Sequence, residues 1–194
     1  MGDRDLILGY GTLLYRPSLG DSIGASEATR RRVRPVIVRG WKRLFNLRPD
    51  HYEPSSILSS GAVEAAAMNV EPDERSSMNA VCIEVTSEEL LALDRRERYY
   101  DRRRVQGVDY RDAEPVEAIL YYAPRGDRRL CHDPGLLLPL WRDLVWGIEG
   151  CRDIDQEFAE IFKATTFLAD GETLASELYR EFLDGPEYRR ELRP

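Results

Sequence analysis

The spacing of apolar residues changes character once along this chain, near residue 124, and that change limits the folds open to it. Before it, apolar residues fall in short β-favouring runs: Leu6-Ile7-Leu8, Val33 to Leu47, Ala65 to Val70, Met78 to Val85, Arg102 to Tyr110 and Val116 to Ala123. After it, they recur at helical spacing: Leu140, Trp141, Leu144, Val145 and Ile148, then Ile154, Phe158, Ile161 and Phe162, then Leu174, Leu178 and Phe182. Strands first and helices later, without βαβ alternation, predict one α+β domain over 194 residues. Its sheet is mostly antiparallel, curls into a small barrel over about residues 4–124 and stops there, and is backed by a helical C-terminal part over about 135–184.

Within the strand-rich part, Val33 to Leu47 reads as one strand or a bent pair, and Arg48 to Gly61, with Pro49, Pro54 and four serines, reads as a loop. The runs Ala65 to Val70 and Met78 to Val85, separated by Glu71 to Ser77, predict a hairpin with a long loop. Arg102 to Tyr110 and Val116 to Ala123 predict a second hairpin.

One helix interrupts this part. Thr86 followed by Glu89 is a capping-box pattern, and Leu90, Leu91 and Leu93 supply the apolar side of the helix. Leu90, Leu93, Asp94 and Glu97 stand at i, i+3, i+4 and i+7, so the two acids extend the leucine face while the arginines point elsewhere. An acid carried inward must be paired, hydrogen-bonded or protonated. Two readings of Glu97 follow. It is a desolvated general base and acid, or it belongs to a solvated last turn that Arg95, Arg96 and Arg98 neutralise.

Upstream, Leu6-Ile7-Leu8 runs into Gly9-Tyr10-Gly11-Thr12-Leu13-Leu14. Two glycines flanking one residue allow successive N–H groups to converge on an anion such as a carboxylate or phosphate; the other reading is a tight turn with no ligand. Leu14 at the place of a third glycine, with Pro17 soon after, argues against a dinucleotide fingerprint.

Composition removes several function classes. The net charge of -7 argues against a general nucleic-acid binder, despite the clusters Arg30-Arg31-Arg32 and Arg102-Arg103-Arg104. Cys82, Cys131 and Cys151, odd in number and far apart, read as free thiols of a reducing compartment. His51 and His132 have no ligand-spaced partner, which argues against a zinc site and a histidine-based triad. The start Met1-Gly2-Asp3-Arg4-Asp5 precedes only a brief apolar run, so neither a signal peptide nor a membrane span is expected, and the location is read as cytoplasmic.

The segment Leu8-Gly9-Tyr10-Gly11-Thr12-Leu13-Leu14 resembles the Tyr-Gly-Ser/Thr-Leu loop of the gamma-glutamylcyclotransferase-like superfamily, which includes ChaC-like and AIG2-like proteins. Leu93-Asp94-Arg95-Arg96-Glu97, followed by Tyr100 and a strand from near Val105, resembles the superfamily's Leu-Asp-x-x-Glu segment. Gly40 to Asn46 and Ala80 to Val85 also fall where similar segments fall, so the likeness spans roughly residues 5 to 123.

The resemblance implies a small β-barrel with flanking helices that releases 5-oxoproline from a small-molecule gamma-glutamyl compound, using neither metal nor organic cofactor. It implies Glu97 as the general acid/base, Tyr10, Gly11, Thr12 and Leu13 as the loop whose amides hold the glutamyl moiety, and Tyr100 as a hydroxyl beside it. Thr12 stands where many members have serine, and Leu13 where some have asparagine, which bears on the substrate subclass. Two other readings stay open: a non-catalytic protein that binds a small ligand or partner in the same pocket, and an acyl or amine transferase.

Overall fold

A computed structural model describes residues 4–23, 33–48 and 64–178. Two long strands frame it. Strand β2 (Val33–Leu47) lies antiparallel along β3 (Glu64–Thr86), from Val33 opposite Ile83 to Leu47 opposite Ala67. The register shifts between Arg39 and Trp41, where Gly40 takes φ +80°, a conformation that side chains disfavour.

The hairpin expected from Ala65–Val70 and Met78–Val85 is absent: both runs belong to the single strand β3. Glu71 to Ser77 is not a loop but the largely exposed middle of that strand. Its polar composition imitates a turn because this stretch extends past the core: Glu71, Pro72 and Ser77 pair with β2, while residues 73–76 have no partner in β2 at the register shift and fold locally, Arg75 N–H and Ser76 Oγ donating to the Asp73 carboxylate. Pro72 sits opposite Trp41 at the register shift, where a missing N–H is tolerated.

Around this pair run β1 (Arg4–Gly9), β4 (Asp101–Asp109), β5 (Pro115–Tyr122), β6 (Leu137–Pro139) and β7 (Thr166–Phe167). The seven strands form one sheet in the order β6-β3-β1-β5-β4-β2-β7, with β3 also paired to β2. The expected hairpin of β4 and β5 is present. The expectation of a mostly antiparallel sheet ending near residue 124 is corrected: the sheet is mixed, with β1–β5, β3–β6 and β2–β7 parallel, and β6 and β7 join it from the C-terminal part. Parallel pairing needs a long crossover, and the loops and helices between these strands provide it.

Helix α1 (Arg16–Ile23), unforeseen from its polar sequence, carries Pro17 in its first turn, where proline's missing N–H is harmless. Helix α2 (Ser87–Arg96) starts on the expected capping box: Glu89 N–H donates to Thr86 Oγ1 at 3.3 Å, and Thr86 N–H donates to Glu89 Oε2 at 2.7 Å. Helices α3 (Trp141–Arg152) and α4 (Gln156–Ala164) bury Leu144, Val145, Ile148, Phe158 and Phe162 as their spacing predicts. The expected third helix is only α5 (Ala175–Leu178), in which Leu178 is exposed; Phe182 lies outside the described residues, as do 49–63 of the predicted loop.

Candidate active site

Buried Ile7 and Leu8 carry β1 into the core, and the chain leaves it through Tyr10 and Gly11 into a 3-10 turn, Thr12–Leu14. Helix α3 presses on this loop from behind. A Cβ placed on Gly150 would lie 2.3 Å from the Leu14 carbonyl oxygen, so only glycine permits this approach. The rings of Tyr15 and Trp146 stack at 5.4 Å and tie the same two elements together.

Glu97 caps the C-terminal end of α2, its N–H donating to the Leu93 carbonyl at 2.7 Å. Leu93 is fully buried and Leu90 partly so, but Leu91, expected on the apolar side, is exposed. Asp94 does not enter the cleft. Its carboxylate accepts from Arg102 Nη1 at 2.9 Å and from the Tyr121 hydroxyl at 2.7 Å, anchoring α2 to β4 and β5.

The end of α2 meets the glycine loop directly. Arg96, expected to point away, donates through Nη2 to Thr12 Oγ1 at 3.3 Å and sets its Nε 3.3 Å from Glu97 Oε1. Tyr10, Gly11, Thr12, Leu13, Glu97 and Tyr100 all line one cleft of about 470 Å³. Two motifs more than eighty residues apart in the chain thus share one site.

The Glu97 side chain is 17% exposed, and its pKa is raised from the ordinary glutamate value: burial raises it and Arg96 pulls it down less. Burial also raises the hydroxyl pKa of Tyr100, and the Glu97 charge adds to that rise. Tyr10 is shifted upward in the same way, by burial first and then by Tyr100 and Glu97. The cleft thus keeps Tyr10 and Tyr100 neutral and gives Glu97 a higher proton affinity.

The cleft contains a second acid that sequence reasoning missed. Asp143, in the first turn of α3, is 7% exposed; its Oδ1 has no hydrogen bond, and Arg142 Nε lies 3.6 Å away. Its one signal in the sequence is the stripe Asp143, Gly147, Gly150 at i, i+4 and i+7, an acid continuing the small-residue face on which α3 packs closely. Arg129 and Arg142, also unforeseen, line the cleft as well.

Burial pushes the Asp143 pKa up to about 6 against the pull of Arg142 and Arg96. A carboxyl whose folded-state pKa is raised contributes stability that is present below its unfolded pKa, near 4, and is lost as pH rises through about 6. Asp143→Asn is therefore expected to gain on the wild type from pH 5 to pH 8, by roughly 1–2 kcal/mol, because about half of the shift has already titrated by pH 5. Urea unfolding at the two pH values measures this, and coincident curves at pH 8 would contradict it.

Among the described residues, no group of three or more His, Cys, Asp or Glu is placed to hold a metal ion, and no helix is long and apolar enough to cross a membrane. Cys82, Cys131 and Cys151 are free; burial raises the first and last to about 12, which leaves them protonated.

No protein-family model and no curated protein matches the sequence. Solved structures do match the fold. A structure titled gamma-glutamyl cyclotransferase superposes with a TM-score of 0.62 at 11% identity, covering 94% of this chain and 100% of the other. An uncharacterized protein from Homo sapiens, loc79017, gives a TM-score of 0.62 at 12% identity over 84% of this chain and 88% of that one. A yeast gamma-glutamyl cyclotransferase specific to glutathione gives 0.51 at 12% identity, over 82% and 88%. The chain has the gamma-glutamyl cyclotransferase-like fold.

Proposed function

We propose that this chain is a gamma-glutamyl cyclotransferase, acting on a small gamma-glutamyl compound in the cleft between the glycine loop and the end of α2. The observation that carries this reading is the desolvated Glu97 carboxyl, its pKa raised, beside the Gly11–Leu13 loop in a cleft of substrate size.

In the proposed reaction the substrate's α-amino nitrogen attacks its own γ-carbonyl carbon. Glu97 takes a proton from the ammonium so that the nitrogen lone pair is available, a new C–N bond closes the five-membered ring, and the carbonyl oxygen becomes a tetrahedral oxyanion. The opening N–H groups of a 3-10 turn have no acceptor within the turn, and those of Thr12 and Leu13 serve here as donors to the oxyanion and glutamyl group. Collapse of the intermediate breaks the C–N bond to the departing amine as Glu97 returns its proton to that nitrogen; the ring nitrogen, which carries two protons after attack, then gives one to the freed Glu97 carboxylate, from which it passes to solvent, and 5-oxoproline and a free amine leave. Tyr100, kept neutral beside Glu97, is placed to donate its hydroxyl proton in a hydrogen bond to the glutamyl group.

Incubation with a panel of gamma-glutamyl amino acids, peptides and amines, with 5-oxoproline detected by mass spectrometry, tests this. Release from at least one compound is expected. Binding of a gamma-glutamyl compound without release from any would favour a binding protein instead, and release of an acyl-transfer product would favour a transferase.

Gly11→Val tests the loop. A Cβ at Gly11 would contact Met68 Sδ at 3.4 Å, an ordinary distance, so the fold should survive while the branched methyls enter the cleft. Affinity for a gamma-glutamyl ligand is expected to fall about tenfold or more with an unchanged melting curve; unchanged affinity by calorimetry would remove the loop from the site.

A further inference from the structure

We propose that Arg96 is the positioning residue of the cleft: one guanidinium holds the Glu97 carboxylate and the Thr12 hydroxyl, and so fixes the proton-transfer group relative to the loop that receives the glutamyl moiety. This rests on the cyclotransferase reading of the cleft. Arg96 Nε lies 3.3 Å from Glu97 Oε1, and Arg96 Nη2 donates to Thr12 Oγ1 at 3.3 Å.

An arginine in the last turn of a helix is ordinary, because a cation there complements the helix dipole. That role does not account for the bond to Thr12, which lies 84 residues away at the start of another element. A guanidinium presents its N–H groups in a planar, rigid fork. Grasping one partner through Nε and another through Nη2 therefore sets the two partners relative to each other, which a single ammonium cannot do.

The same cation also acts on the charge of the site. Burial raises the pKa of Glu97 and Arg96 draws it back, and Arg96 pulls in the same direction, as a smaller cause, on Tyr100 and Asp143. The other charged groups on the cleft are Asp21 from α1, Arg129 from the segment after β5, and Arg142 and Asp143 from α3. Tyr10, Tyr99, Tyr100 and Tyr121 add phenols. Arg129 is paired with Asp127 and Arg142 lies beside Asp143, which leaves Arg96 as the cation drawn to Glu97. Glu97 must be ionised to accept the ammonium proton. Removing the Arg96 charge raises its pKa, so the acid limb of the kcat/KM profile moves to higher pH.

The test compares Arg96→Met, which removes charge and fork, with Arg96→Lys, which keeps the charge alone. The side chain is 35% exposed, so both variants should keep the wild-type melting curve. Release of 5-oxoproline is measured against pH, and the Glu97 carboxyl is titrated by 13C NMR, its resonance assigned by its loss in Glu97→Gln. In both variants kcat is expected to fall about tenfold or more, with KM changed less. The acid limb and the Glu97 titration should move to higher pH in Arg96→Met and stay near the wild-type position in Arg96→Lys. A limb that does not move in Arg96→Met, or a wild-type kcat in either variant, would overturn the proposal. If the wild type releases no 5-oxoproline, a Glu97 titration moved by Arg96→Met keeps the contact and overturns the cyclotransferase reading. An unmoved titration in that case overturns both.

Discussion

Glu97→Gln is expected to reduce 5-oxoproline formation by about 10²–10⁴-fold while leaving ligand affinity and thermal stability nearly unchanged. Glutamine keeps the shape of the side chain and can still hydrogen-bond, but it cannot take a proton from the substrate ammonium and return it to the departing amine. Its neutral amide also suits a site where burial already disfavours the carboxylate charge and where Arg96 is the nearby cation. The measurement is single-turnover 5-oxoproline formation at saturating substrate, alongside calorimetric Kd. A variant as fast as the wild type would return Glu97 to the role of a charged helix end. A variant that loses affinity as much as rate would make it a binding residue.

Phe158→Ala in α4 should cost about 3–5 kcal/mol of stability. The ring is fully buried and lies edge-on to Tyr110 at 5.0 Å, in the same hydrophobic core as Ala159 and Phe162. The Phe158 carbonyl also accepts from Asn79 Nδ2 at 2.6 Å, and Asn79 Oδ1 in turn accepts from the buried Arg43 at 3.1 Å. A shift of α4 into the cavity would therefore disturb a polar network as well as apolar packing. Urea unfolding of the two proteins measures the difference. A loss below about 1 kcal/mol would be surface-like and would mean that this face of α4 is not core.

Much of this architecture is legible in the chain itself. Local signals do not depend on what lies across the fold, and they are read correctly: the Thr86–Glu89 box starts α2, the alternation of Val116, Ala118, Leu120 and Tyr122 marks one arm of the β4–β5 hairpin, and the aromatic spacing of α4 marks its buried side. Errors arise where one local pattern serves two structures. Glu71 to Ser77 has turn composition yet continues β3, because β2 pairs with it at both ends, at Glu71 and Pro72 and again at Ser77. The three residues of β6 and two of β7 are too short to carry a period, and they join the sheet only because long connections bring them alongside β3 and β2.

The candidate site divides in the same way. The amino-acid sequence by itself determined its two halves, a glycine-hinged loop after a buried strand and an acid on the leucine face of a short helix, because turn chemistry and helical period act between near neighbours. Only the tertiary structure decided that the halves meet through Arg96 and Thr12, that burial outweighs Arg96 at Glu97, and that α3 brings Asp143 into the cleft. It also decided that Arg43 is fully buried with no carboxylate partner among the described residues, held by Thr166, Asn79 and the Phe162 ring, its pKa pushed down to about 10. Desolvation is the physical reason in each case: it depends on which chain segments exclude water from a group, and those segments lie far away in the sequence.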